Sequence, residues 1–316
     1  MIFMPISVSL RLYLLCWSVN IAIGKGEISC KNYAGRDVDW FVLYKLPKTK
    51  PNKFHYWTPN GDEMAYHGSD SPKGTWHLLP SSIFHHKLNP IWETLKAAYR
   101  KKTKVAYASY NDQPPKKFTG TRGGHSKGVL MASKDGEGGT VWLQHSVPQF
   151  VDDMENDYVY PPSGRENGQL FLCLTLGLAD VEIIDIYTED MAITMKDSII
   201  VQSWKNGNGG AQKPFCGARH SVTDIISVRI GSRGKEALFS SREDHSKWYV
   251  TKARSIFCFS TLNRMCSQRS RGGEITCLED FYLAQLFRSS IAESSSCKGL
   301  NVRSGPPNGK LRTTCT

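Results

Sequence analysis

The sequence predicts an α/β protein made of two similar halves that share one site at the seam between them. Three observations carry that expectation. The stretch Gly124-His125-Ser126-Lys127-Gly128-Val129-Leu130 recurs as Asp244-His245-Ser246-Lys247-Trp248-Tyr249-Val250, one copy in each half. Around both copies the chain repeats strand, His-Ser-Lys, turn, strand, with helical spacing elsewhere. The 316 residues are 40% hydrophobic and 22% charged, which is enough for a packed core and excludes a disordered chain.

The elements follow in order. Ile6 to Ile23 is mostly apolar, is broken by Arg11 and is followed by Gly24 and Gly26, so residues 1–26 read as a secretory signal and not a membrane span. The N-terminal half is expected over 27–155, the C-terminal half over 156–297, and a loose tail rich in Ser, Gly and Pro over 298–316. Val38 to Leu46 is β-branched and aromatic and ends at Pro47, which predicts a strand. Lys48 to Gly74 is polar with Gly and Pro and reads as a surface excursion. Pro90 to Arg100 carries Ile91, Trp92, Leu95, Ala98 and Tyr99 at helical spacing behind a Pro near N1. Strands are expected at Lys104–Tyr110, after His125, at Thr140–Val147, at Asp224–Ile230, after His245 and at Ser255–Ser260. A turn at Asp135 to Gly139 would make a hairpin that returns His145 toward His125. Leu170 to Leu176 reads as a buried strand or helix start, Val181 to Met195 as either type, and Cys277 to Ser289 as an amphipathic helix.

A His and a Lys two apart on a strand project from one face. Two such pairs facing each other place two imidazoles and two ammonium groups around one anion, which suits a phosphodiester: one imidazole attacks phosphorus, the other protonates the leaving oxygen, and the lysines hold the charged oxygens. A lone His-x-Lys is a weak pattern. His85-His86-Lys87 fits it too, but no apolar strand follows, and it reads as a loop or helix start. The formal charge of +11 favours an anionic partner such as nucleic acid or an acidic membrane surface. Of nine cysteines, Cys16 lies in the expected signal; Cys30, Cys173, Cys216, Cys258, Cys266, Cys277, Cys297 and Cys315 form an even set that suits disulfides in an exported protein, with pairing left open. There is no Cys-x-x-Cys and no paired His spacing for a metal site.

Taken together, Val38-Asp39-Trp40-Phe41-Val42-Leu43-Tyr44-Lys45-Leu46-Pro47, Tyr110-Asn111-Asp112-Gln113-Pro114-Pro115, both His-Ser-Lys stretches, Trp142 to Pro148, and Asn263-Arg264 with Arg271-Gly272-Gly273 resemble the deoxyribonuclease II family, within the phospholipase-D-like superfamily. The resemblance runs from near Cys30 to about Cys297. It implies two similar phospholipase-D-like halves with mixed β-sheet cores flanked by helices, and one active site at their seam. It also implies an acid endonuclease that needs no metal or other cofactor, cuts DNA through a phosphohistidine and leaves 3′-phosphate and 5′-hydroxyl ends. Carried onto this chain, His125 and His245 are nucleophile and general acid, with the reverse assignment open, Lys127 and Lys247 bind phosphate oxygens, and Asn263 matches the superfamily's Asn near the second motif; His145, returned toward His125 by the expected hairpin, is a further phosphate-binding candidate or a hydrogen-bonded structural histidine. DNA is the expected partner, a homodimer is compatible with the family, and no membrane anchor is expected once the signal is removed.

Two departures accompany the resemblance. The superfamily's Asp after His-x-Lys is replaced by Ala132 and Lys252, and the region around Met195 to Gly207 is short by several tens of residues. The second departure keeps open an alternative: a divergent, non-catalytic DNA-binding or toxin-like relative. No Asn-x-Ser/Thr sequon occurs, so secretion is expected over glycan-dependent sorting to the lysosome. Gly124 to Gly128 also fits Gly-x-Ser-x-Gly, but the apolar run follows the motif instead of preceding it, which argues against a serine hydrolase. A phospholipase would want an apolar surface where the flanking sequence is basic.

Overall fold

In the computed structural model the described residues are 28–51, 56–99, 105–115, 125–133, 139–152, 154, 156–176, 192, 195–206, 210–217, 219–232, 234–265 and 274–297. The elements are β1 (Cys30–Lys31), β2 (Asp37–Val38), β3 (Trp40–Lys45), β4 (Glu63–Gly68), β5 (His77–Ser82), α1 (Pro90–Leu95), β6 (Val105–Asn111), β7 (Lys127–Ser133), β8 (Thr140–His145), β9 (Gln169–Leu176), β10 (Ile199–Gln202), β11 (Phe215–Cys216), β12 (Ser221–Ser232), β13 (Lys235–Ser240), β14 (Trp248–Thr251), β15 (Ile256–Ser260), β16 (Ile275–Glu279), α2 (Phe281–Ser289) and β17 (Ile291–Ser294). The protein is thus mixed α/β, rich in sheet, with few helices. The expected signal, residues 135–138 of the expected turn, most of Val181 to Met195 and the tail from 298 lie outside the described residues.

Two sheets stack on one another. The first runs β5-β4-β3-β9-β8-β7-β6, and the second runs β11-β12-β10-β14-β15-β16 with β13 and β17 paired to β12. β3 lies inside the first sheet and is buried on both faces, which is why it reads as a continuous apolar run. Its even-numbered residues Trp40, Val42 and Tyr44 join Leu170, Leu172, Trp248, Val250, Phe257 and Phe259 in the core between the sheets. Its odd-numbered residues Phe41 and Leu43 join Ile91, Leu95, Val129, Leu143 and Phe171 in a second core beneath α1. The period of two thus sends one strand's side chains into two cores.

α1 and α2 are each capped by a side chain. Asn89 accepts from the Ile91 and Trp92 amides with Pro90 in the first turn, and Asp280 accepts from the Leu283 amide. α2 buries Leu283, Ala284, Leu286 and Phe287, and Phe287 stacks on Phe257 with ring centroids 4.1 Å apart.

Several elements differ from the sequence expectation. α1 ends at Leu95. The supposed excursion Lys48 to Gly74 contains β4, whose Met64, Ala65 and Tyr66 are buried; a Glu, a His and a Gly among six residues hid an inner strand. Cys277 lies on β16, and the helix begins only at Phe281, because Cys277 faces Cys258 across a strand pair. β9 lies beyond residue 155 yet pairs with β3 and β8 in the first sheet. Three disulfides form, Cys30–Cys173, Cys216–Cys297 and Cys258–Cys277, while Cys266 and Cys315 lie outside the described residues. Among the described residues no helix is long and apolar enough to cross a membrane.

Candidate active site

The two His-Ser-Lys stretches meet at one end of the seam. His125 and His245 sit just before strands and not on them, since β7 begins at Lys127 and β14 at Trp248. Their ring centroids are 6.4 Å apart, with planes at 62°. The backbone just before β9 docks the second motif. The His245 amide donates to the Gly168 carbonyl and the Gly168 amide to the Glu243 carbonyl, each at 2.8 Å. A Cβ on Gly168 would lie 2.6 Å from an Asp244 carboxylate oxygen, so this approach requires glycine.

Each imidazole is held by a carbonyl from the opposite sheet. His245 Nδ1 lies 3.1 Å from the Ser146 oxygen, and His125 Nδ1 hydrogen-bonds the Thr261 oxygen. The equivalence is one of register. Gly128 pairs with Gln144 and Trp248 with Phe259, and Ser146 and Thr261 each follow two residues after those partners. A carbonyl oxygen can only accept, so each Nδ1 carries a proton.

The lysines crowd positive charge around the pair. Lys127, almost wholly buried, is ion-paired with Asp112. Lys247 donates to the His245 carbonyl at 2.7 Å, and its Nζ lies 3.2 Å from His245 Nδ1. Burial, then the Lys127 charge, pushes the Lys247 ammonium well below the usual lysine range; Asp244 and Asp112 offset part of this. Burial, then Lys247, Lys127 and His125, likewise pushes His245 well below an ordinary histidine. A phosphodiester placed among these groups would offset that repulsion.

Sequence reasoning missed the residues behind the motifs. Tyr44 donates from β3 to the buried Asp244 carboxylate, which also accepts from the Ser246 amide at 2.9 Å and hydroxyl at 2.8 Å. Lys45, buried and pulled down to about 7, donates to the Arg165 and Asn167 carbonyls and fixes the segment that docks His245. Tyr110 donates to Glu274, whose carboxyl burial pushes up. Asp112 and Tyr44 sat in stretches that carried the family resemblance, so a signal existed; the carbonyls of Ser146 and Thr261 have no side-chain signature at all. Ser126 faces Glu274 and not an imidazole, unlike a hydrolase nucleophile.

Asn263 is buried on the segment that carries Thr261; register puts Pro148 at the matching place in the first half. His145 lies in the core. It has no exposed surface, packs against Phe150 and Phe171 with centroids at 5.2 Å and 5.8 Å, and accepts from the Val147 amide at 3.3 Å. The hairpin returns it toward the site as a core residue, and burial, then the Lys127 charge, pushes its imidazole down to about 3.

Beside His245 opens a cavity of about 300 Å³ walled by Gln113, Gln149, Asn167 and Trp204. Among the described residues no cluster of three or more His, Cys, Asp or Glu could hold a metal ion.

Comparison with known proteins gives the family. The family model for deoxyribonuclease II matches residues 29–186 and 183–297. Mouse deoxyribonuclease-2-beta is 28% identical over 366 residues, covering 91% of this chain and 98% of that protein. Cell-death-related nuclease 7 of Caenorhabditis elegans is 26% identical, covering 92% and 94%. Plancitoxin-1 of Acanthaster planci is 26% identical, covering 93% and 100%. An alignment of 366 residues that spans 91% of a 316-residue chain leaves gaps on this side, and the two matched segments meet at 183–186, just before the expected short region. With both segments matched over most of its length, the chain belongs to the deoxyribonuclease II family.

Proposed function

We propose that the protein is an acid endodeoxyribonuclease that hydrolyses DNA phosphodiesters by way of a phosphohistidine. His125 Nε2 attacks phosphorus as the bond to the 5′-oxygen breaks, and the His245 Nε2 proton passes to that oxygen. Water then attacks phosphorus with His245 as base, releasing His125 and a 3′-phosphate. Lys127 and Lys247 hold the non-bridging oxygens through the reaction and make a metal unnecessary. Asn263 supports the second motif. The observation that carries the reading is the pair of imidazoles across the seam, each committed at Nδ1 to a carbonyl of the opposite sheet.

The matching registers around β7–β8 and β14–β15 support two related, phospholipase-D-like halves. Three disulfides support an oxidising compartment, and with it removal of residues 1–26 and secretion. A non-catalytic DNA-binding relative is the second reading, favoured by the stretch this chain lacks. Plasmid cleavage at about pH 5 in excess EDTA, comparing the parent with His125→Ala and His245→Ala, decides between them. Cleavage by the parent alone supports the nuclease; a folded parent that binds DNA without cutting it supports the relative.

A further inference from the structure

We infer that the cavity beside His245 is a nucleobase subsite, in which the indole of Trp204 stacks on the base of the nucleoside that leaves with the free 5′-hydroxyl. This rests on the proposed nuclease reading and deepens it. The cavity holds about 300 Å³ and touches the proposed general acid, and its wall is made of Trp204, prolines and neutral polar side chains, with His245 the one ionisable group among its lining residues. Such a lining suits a flat, neutral heterocycle with donors and acceptors at its edge, and not a second phosphate.

Three further features point to a ligand there. Trp204 is only partly buried and stands against His245, ring centroids 5.0 Å apart, so its position is tied to the reacting imidazole. Gln113 Oε1 is buried and has no hydrogen-bond partner among the described residues. A turn of that side-chain amide would present an acceptor or a donor to the edge of a base in the cavity. Gln149 holds φ at 64°, in the left-handed region that disfavours a side chain, and its amide donates to the Gln113 carbonyl at 2.9 Å. Backbone strain of this kind is kept where a site requires it. Gln113 and Gln149 are thereby linked through their backbones.

The side of the scissile phosphate follows from the chemistry. The general acid stands beside the leaving 5′-oxygen and the nucleophile attacks from the opposite side, so a cavity abutting His245 receives the leaving nucleoside. A base seated there has left its stack, which favours single-stranded or locally opened DNA.

The test uses oligonucleotides with one abasic residue placed 3′ or 5′ of a chosen linkage, cut by the parent, Trp204→Ala and Trp204→Phe. The parent should cut a linkage with the abasic residue on its 3′ side roughly ten- to a hundredfold more slowly than the intact linkage, the range expected for one lost base stack. In Trp204→Ala that ratio should fall toward one, and Trp204→Phe should restore most of it. An equal loss by Trp204→Ala at intact and abasic linkages would make Trp204 a mere support for His245 and overturn the inference. So would an abasic effect confined to the 5′ side, or none. A parent that cuts no oligonucleotide at all would instead overturn the nuclease reading beneath it.

Discussion

Replacing His145 by Asn should flatten the acid sensitivity of the fold. His145 is buried between Phe150 and Phe171, and burial with the Lys127 charge pushes its imidazole down to about 3. In the unfolded chain the same ring titrates near ~6.5. The folded value lies below the unfolded one, so between about 6.5 and 3 the unfolded state binds the extra proton. Stability from the neutral ring is therefore complete above that window and is lost as pH falls through it. At about pH 5 the loss is ~2 kcal/mol, set by the distance to the unfolded value and insensitive to how far below 5 the folded value lies. Asn places an oxygen near Nδ1 to accept from the Val147 amide and does not titrate. Its smaller volume costs stability equally at every pH and cancels in the comparison. Urea unfolding of parent and variant at about pH 7.5 and about pH 5 should show the gap between the two pH values shrinking by ~2 kcal/mol in the variant. An unchanged gap would show that His145 is not held neutral in the fold.

Three other outcomes follow from the same contacts. Binding of DNA to His125→Asn should take up a proton and tighten as pH falls, because a phosphate charge raises the His245 pKa from its depressed value in the empty site; calorimetry in buffers of different ionisation enthalpy reads this, and zero uptake across pH 5–7 would contradict it. Tyr44→Phe removes a donor from the buried Asp244 carboxylate beside His245 and should cost about 1–3 kcal/mol in urea unfolding and lower kcat; a variant as stable and active as the parent would show that the contact is idle. Removing Cys30–Cys173, which links residues 143 apart, should cost ~4–5 kcal/mol, and a loss below ~1 kcal/mol would mean that the two packed cores already impose the constraint.

The sequence determined the parts whose signal is local. Alternation and β-branching mark β3, β7, β8 and β15, because a strand buried on one or both faces must carry apolar residues at a period of one or two. The repeated His-Ser-Lys marks two stretches that hold the same chemistry, and the even cysteine set marks an oxidised protein. Tertiary structure decided the rest. β4 is polar in composition yet lies inside a sheet, so neighbours and not propensity made it a strand. Cys277 reads as part of a helix until Cys258 is placed across from it. His145 and His125 are alike in sequence and differ only in what surrounds them: aromatic rings around one, a second imidazole and a carbonyl of the other sheet around the other. The carbonyls of Ser146 and Thr261 fix which nitrogen carries the proton, and any residue type supplies a carbonyl. Only packing two sheets through Tyr44, Gly168 and Asp244 brings those atoms to within hydrogen-bonding distance, because the contacts join residues 99 and 136 positions apart that no local pattern connects.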